Sequence, residues 1–83
     1  MRYNGQVRVL VVEDEARLSR QLATALGEAG YAVDCAGDGE RADFLGRTER
    51  YDAVVLDLGL PRVDGLTVLR RWREEGLTMP VLL

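Results

Sequence analysis

Ala53-Val54-Val55-Leu56-Asp57-Leu58-Gly59-Leu60-Pro61-Arg62-Val63-Asp64-Gly65 is an apolar strand that ends in a carboxylate and runs into a stiff turn. Its first four residues are all apolar and read as a strand, and residues 7–12, nearly all β-branched or Leu, suit a strand covered on both faces. Asp57 stands at the C-terminal tip. Gly59 lets the backbone come close, and its carbonyl can face whatever Asp57 binds. Pro61 fixes φ and stiffens the loop. Asp64-Gly65 opens the next segment with a helix cap. A second apolar run, Val7-Arg8-Val9-Leu10-Val11-Val12, ends the same way, in Glu13-Asp14.

Outward from these two runs the segments alternate. Residues 17–30 place Leu18, Leu22, Ala25, Leu26 and Ala29 on one helical face, with Gly30 as the stop. Residues 31–36 read as a short strand. Val33 and Cys35 share one face and Asp34 points the other way, as expected near a sheet edge. Asp38 caps a second helix over residues 39–50, with Ala42 and Leu45 inward and Phe44 adding apolar area beside them. Residues 65–75 form a third helix, with Leu66, Leu69 and Trp72 inward and Gly76 at its end. Arg70, Arg71, Arg73 and Glu74 make its solvated face. Residues 79–83 begin a fourth strand, with Pro80 where the missing N–H costs least.

The order βαβαβαβ predicts an α/β fold, a doubly wound parallel sheet with right-handed crossovers. There is no internal repeat, low-complexity tract or linker. The very apolar run over residues 80–83 suggests that residues 1–83 are the N-terminal part of a longer domain.

The totals narrow the chemistry. Eighty-three residues, 47% of them hydrophobic, make one packed domain at most. A net charge of −3 gives no reason to expect attraction to nucleic acid or to an anionic membrane. No histidine is present, which excludes a histidine-assisted nucleophile and a histidine-ligated metal. All eleven basic residues are arginine, so a P-loop lysine is excluded as well. Cys35, the single cysteine, cannot form an internal disulfide and is expected in a core-facing strand position. Residues 1–5 lack an apolar leader, and no run approaches the roughly 18 apolar residues of a membrane span, which makes a cytoplasmic location the default.

In doubly wound sheets, ligands bind beyond the C-terminal strand ends where the strand order reverses. If the first and third strands flank that reversal, Glu13, Asp14 and Asp57 converge. Three close carboxylates repel one another and raise at least one pKa unless a cation joins them. Mg²⁺ suits such a site, because it takes oxygen ligands, keeps some waters and bridges carboxylates to phosphate oxygens. An aspartate carboxylate is also a nucleophile that can form an acyl phosphate. Asp64 reads as a cap rather than a ligand. Glu15 reads as a partner of the first helix dipole rather than of the metal. Gly37-Asp38-Gly39 is a loop and cap, since no G-x-G-x-x-G follows the first strand.

Three features together resemble the receiver domain of two-component response regulators. These are Glu13-Asp14 after a strand, Asp57 at the third strand's tip, and the stretch from Asp57 to Leu66. The resemblance runs from about Val7 to Leu83 and implies the flavodoxin-like receiver fold, strand order 2-1-3-4-5, here ending after the fourth strand. It implies that Asp57 accepts a phosphoryl group from a partner histidine kinase. Asp14, Asp57 and the Gly59 carbonyl would bind Mg²⁺ directly, and Glu13 through water. The stretches 56–62 and 68–73 resemble the branch whose receivers precede a winged-helix DNA-binding effector. Such a protein acts on DNA only through that effector and forms a homodimer when phosphorylated. The family's Thr or Ser after the fourth strand and Lys after the fifth are not in this sequence, nor are the fourth helix, fifth strand and fifth helix.

Two other classes are weighed beside this one. A Mg²⁺-dependent phosphohydrolase with an aspartyl-phosphate would want Asp-x-Asp, but Gly59 occupies the third position. A pseudo-receiver that only binds a protein partner would not need Asp57 together with Glu13-Asp14.

Overall fold

The computed structural model describes residues 6–83; residues 1–5, read above as lacking a leader, lie outside them. The elements follow the expected order: β1 (Arg8–Val12), α1 (Ala16–Glu28), β2 (Ala32–Ala36), α2 (Gly39–Thr48), β3 (Ala53–Leu56), α3 (Gly65–Glu74) and β4 (Val81–Leu82). The four strands form one sheet in the order β2-β1-β3-β4, all parallel. From β1 the chain steps to β2 on one side and later to β3 on the other. The strand order therefore reverses between β1 and β3, and the register sets Val12 beside Leu56 at that point.

Strand alternation divides the apolar residues between two faces. Leu10, Val12, Ala36, Val54 and Leu56 join Ala42, Tyr51, Leu60, Val68 and Trp72 in one buried cluster under α2 and α3. Val9 and Val11, also buried, turn to the opposite face, where α1 packs on β1 and β2. The expected stops hold: Gly30 and Gly76 both take positive φ, +99° and +80°, just beyond their helices. Pro80 lies just before β4, where it gives up no ladder donor and its carbonyl accepts from the Val54 N–H.

Several facing assignments change. In α2 and α3 the inner stripe is set by small residues, which permit close approach. In α2 the buried residues are Gly39, Ala42 and Gly46, and Phe44 is exposed, its ring under the Arg41 guanidinium. A Cβ on Gly46 would sit 2.4 Å from the Trp72 ring, so only glycine allows α2 this close to α3. In α3 the stripe is Gly65, Val68 and Trp72, with Leu69 packed beside it, and Leu66 falls outside it, half exposed. In α1 the buried residue is Ser19, Leu22 and Leu26 are half-buried, and Leu18, Ala25 and Ala29 are exposed. Cys35 is exposed rather than core-facing, because β2 is an edge strand with no outer neighbour to shelter it. Asp34 does turn to the other face, where it accepts from the Tyr51 hydroxyl at 2.8 Å and pairs with Arg8 at 2.6 Å.

Candidate metal centre

The first and third strands deliver three carboxylates to the point where the strand order reverses. The β1 ladder runs on past its end, with the Glu13 N–H donating to the Ala36 carbonyl at 3.0 Å. The Asp57 N–H donates to the Val12 carbonyl at 3.0 Å, which fixes the tip of β3 beside that of β1. Glu13, Asp14 and Asp57 each offer a carboxylate oxygen, and these oxygens lie within 4.8 Å of one another. Glu13 and Asp57 are half-buried and Asp14 is exposed.

Backbone donors orient two of the three. The Glu15 N–H donates to Glu13 Oε2 at 3.1 Å, and the Gly59 N–H donates to Asp57 Oδ1 at 3.0 Å. The Glu15 bond favours the charged form of Glu13, but partial burial and repulsion from Asp57 outweigh it. The Glu13 carboxyl is therefore held above its ordinary value. An all-oxygen donor set of this kind suits a hard divalent cation, which would relieve the repulsion.

That upward shift has a consequence for stability. Between Glu13's ordinary and raised values the native state binds more protons than the unfolded one, so stability falls as pH rises through that window. Glu13→Gln keeps an acceptor for the Glu15 N–H and removes the charge. In metal-free buffer at neutral pH it should raise the thermal midpoint, by on the order of a degree or two given the exposure of the site. The gap between variant and wild type should close as pH falls below Glu13's raised value. A scanning-calorimetry series across pH checks both.

The loop after Asp57 is anchored at several points. A Cβ on Gly65 would lie 2.6 Å from the Asp57 carbonyl oxygen, so α3 starts hard against the loop. Asp64 caps α3, accepting from the Thr67 N–H at 3.1 Å and the Thr67 hydroxyl at 2.8 Å, which holds its carboxyl below the usual range. It stands outside the convergent three, as a cap should. Glu15 occupies the N-cap of α1 without a side-chain cap bond and is likewise outside them. Gly59 needs no special freedom: a Cβ there would meet Asp57 Oδ1 at 3.8 Å, an ordinary contact. Two features escaped the sequence. Arg62 takes φ +69° and pairs with Asp38 and Glu40, and a Cβ on Gly39 would sit 1.8 Å from the Val63 carbonyl oxygen. The run Asp38-Gly39-Glu40, two carboxylates about a glycine, was the available hint.

The chain's similarities agree with this geometry. Residues 9–83 match the family model described as the response regulator receiver domain. Transcriptional regulatory protein PmrA of Pectobacterium parmentieri is 47% identical over 77 residues, covering 93% of this chain and 35% of that protein. Virulence transcriptional regulatory protein PhoP of Salmonella typhimurium is 44% identical over 77 residues, 93% of this chain and 34% of its own length. The chain thus spans about a third of the curated relatives it matches. The crystal structure of TrrA from Thermotoga maritima, in complex with Mg²⁺-BeF, superposes with a TM-score of 0.89 at 35% identity, over 94% of this chain and 68% of that one. The receiver domain of Francisella response regulator 1452 gives 0.89 at 33% identity, over 92% and 63%.

Proposed function

The chain belongs to the response regulator receiver domain family, and from that premise we propose that Asp57 is the phosphoacceptor of a signalling switch. The observation that carries the proposal is the convergence of Glu13, Asp14 and Asp57 at the strand-order reversal. The donor set fits Mg²⁺, and Glu13, Asp14 and Asp57 would hold it, with the Gly59 carbonyl as a further ligand. Bound there, Mg²⁺ offsets the negative charge of the cluster and of an incoming phosphoryl group.

The rest falls to the chain's own groups. The Gly59 N–H on Oδ1 orients the Asp57 carboxylate. A carboxylate oxygen attacks phosphorus, and a new P–O bond forms. The bond from phosphorus to the donor atom, a kinase histidine nitrogen, breaks, and its electron pair leaves with the donor. The product is an acyl phosphate. It adds charge at the start of the loop that connects β3 to α3, and a bistable fold can convert such a change into a signal.

The partner is a sensor histidine kinase, and the setting is the cytoplasm; among the described residues no helix is long and apolar enough to cross a membrane. PmrA and PhoP are transcriptional regulatory proteins by name. By that likeness the output here is transcription through a winged-helix effector on DNA, with homodimerisation on phosphorylation.

The test is intact-mass analysis after incubation with Mg²⁺ and acetyl phosphate. A gain of one phosphoryl group, mapped to the peptide that holds Asp57 and released by hydroxylamine, is the expected result. No gain, or a gain that maps elsewhere, counts against the reading.

A further inference from the structure

We propose that Arg62 is a positioning residue, strapping the loop after Asp57 to the start of α2 so that the Asp57 carboxylate is held ready to react. The inference rests on the reading of Asp57 as the phosphoacceptor.

Among the described residues Arg62 alone takes a positive φ without being glycine, at +69°. A side chain makes that conformation costly, and glycine or asparagine would adopt it more readily. Arginine in this place needs a compensating contact. Its guanidinium lies 3.4 Å from Asp38 Oδ2 and 3.6 Å from Glu40 Oε2. Asp38 is already fixed, because its Oδ1 caps α2 by accepting from the Arg41 N–H at 2.8 Å. The backbone repeats the connection: the Gly39 N–H donates to the Pro61 carbonyl at 3.5 Å, and Gly39 has no room for a Cβ beside Val63. Side chain and backbone thus join residues 38–40 to residues 61–63.

What this joint controls follows from the site's construction. Glu13 and Asp57 are placed by ladder bonds at the strand tips, which do not involve the loop. The loop's own contribution is the Gly59 N–H on Asp57 Oδ1. A loosened loop leaves the strand-tip backbones in place but frees the Asp57 carboxylate to rotate. The strap therefore acts chiefly on the rate of attack, with a smaller effect on metal affinity through the Gly59 carbonyl. The ion pairs themselves are exposed and contribute little to folding.

This separates positioning from mere structure. Arg62→Gly relieves the backbone while removing the guanidinium. The full chain carrying it should keep or exceed the wild-type thermal midpoint, and its Mg²⁺ dependence should shift by no more than about twofold. Its maximal rate of acyl-phosphate formation from acetyl phosphate should fall about fivefold. Arg62→Lys, which keeps a cation, should retain most of the rate. Asp38→Asn with Glu40→Gln preserves the cap and should slow the reaction to the same degree, with no further loss when combined with Arg62→Gly. A rate for Arg62→Gly within about twofold of wild type, or losses that add, overturns the strap while the phosphoacceptor reading stands. No uptake by the wild-type chain overturns both.

Discussion

Trp72→Ala should strip the chain of much of its folding stability. Trp72 is fully buried and belongs to the cluster that joins α3 to β1 and β3. It also fills the close contact with α2 at Gly46, where a Cβ would stand 2.4 Å from its ring. Truncating such a ring typically costs about 3–5 kcal/mol through lost transfer energy and the cavity left behind. One feature works the other way. Trp72 Nε1 is buried with no hydrogen-bond partner among the described residues, and an unpaired buried donor costs about 1–3 kcal/mol. Alanine removes that penalty together with the ring, so the net loss should be about 2 kcal/mol, taking the middle of both ranges. A domain of this length has about 4–12 kcal/mol in hand, so the variant should keep a reduced margin and denature at clearly lower urea. Trp72→Phe keeps most of the apolar body and deletes the unpaired donor, and should lose about 1 kcal/mol. Urea denaturation of the three proteins checks this. A midpoint for Trp72→Ala near that of wild type would mean that the ring does not tie the helices together.

Asp57→Asn should abolish phosphoryl uptake while leaving the fold intact. Asparagine has nearly the same shape, and its carbonyl oxygen can still accept from the Gly59 N–H. It has no anionic oxygen to attack phosphorus, so the acyl phosphate cannot form. It also removes a charge from a crowded cluster, so metal-free stability should hold or rise slightly. The rate of mass gain should fall by a factor of about 100 or more, to the limit of detection. Glu13 and Asp14 remain in the variant, with their oxygens beside the same point. Uptake on either of them at an appreciable rate would show that position 57 is not privileged.

The architecture was legible because its signals are local. Apolar runs ending at Asp57 and at Glu13-Asp14, caps at Asp38 and Asp64, and stops at Gly30 and Gly76 each declare an element boundary within a few residues. The convergence of Glu13, Asp14 and Asp57 was legible for a different reason: both strands end in carboxylates, and the fold class dictates where strand ends meet. Facing within helices was less so. Leu66 looks inward by periodicity and Phe44 reads as apolar area beside the inner face, yet Gly65 and Gly46 decide which side goes inward, by the close contacts they permit with Asp57 and Trp72. Cys35 alternates with Asp34 as expected, but alternation names a face without saying how well it is covered. The Arg62 strap was no more than hinted at by Asp38-Gly39-Glu40, since it joins segments some twenty residues apart and depends on a backbone conformation that the sequence does not announce.

If two strand tips build one magnesium site around Asp57, a Mg²⁺ titration of thermal stability reads it out without any phosphodonor. A cation bound to the native state alone stabilises it by RT ln(1 + [L]/Kd), about 2.7 kcal/mol at a hundred times Kd. The wild-type chain should show a saturable rise in midpoint with one-site behaviour, and Asp14→Asn and Asp57→Asn should each shift that curve to at least about tenfold higher Mg²⁺. A wild-type midpoint indifferent to Mg²⁺, or a rise that Asp14→Asn leaves untouched, would contradict such a site.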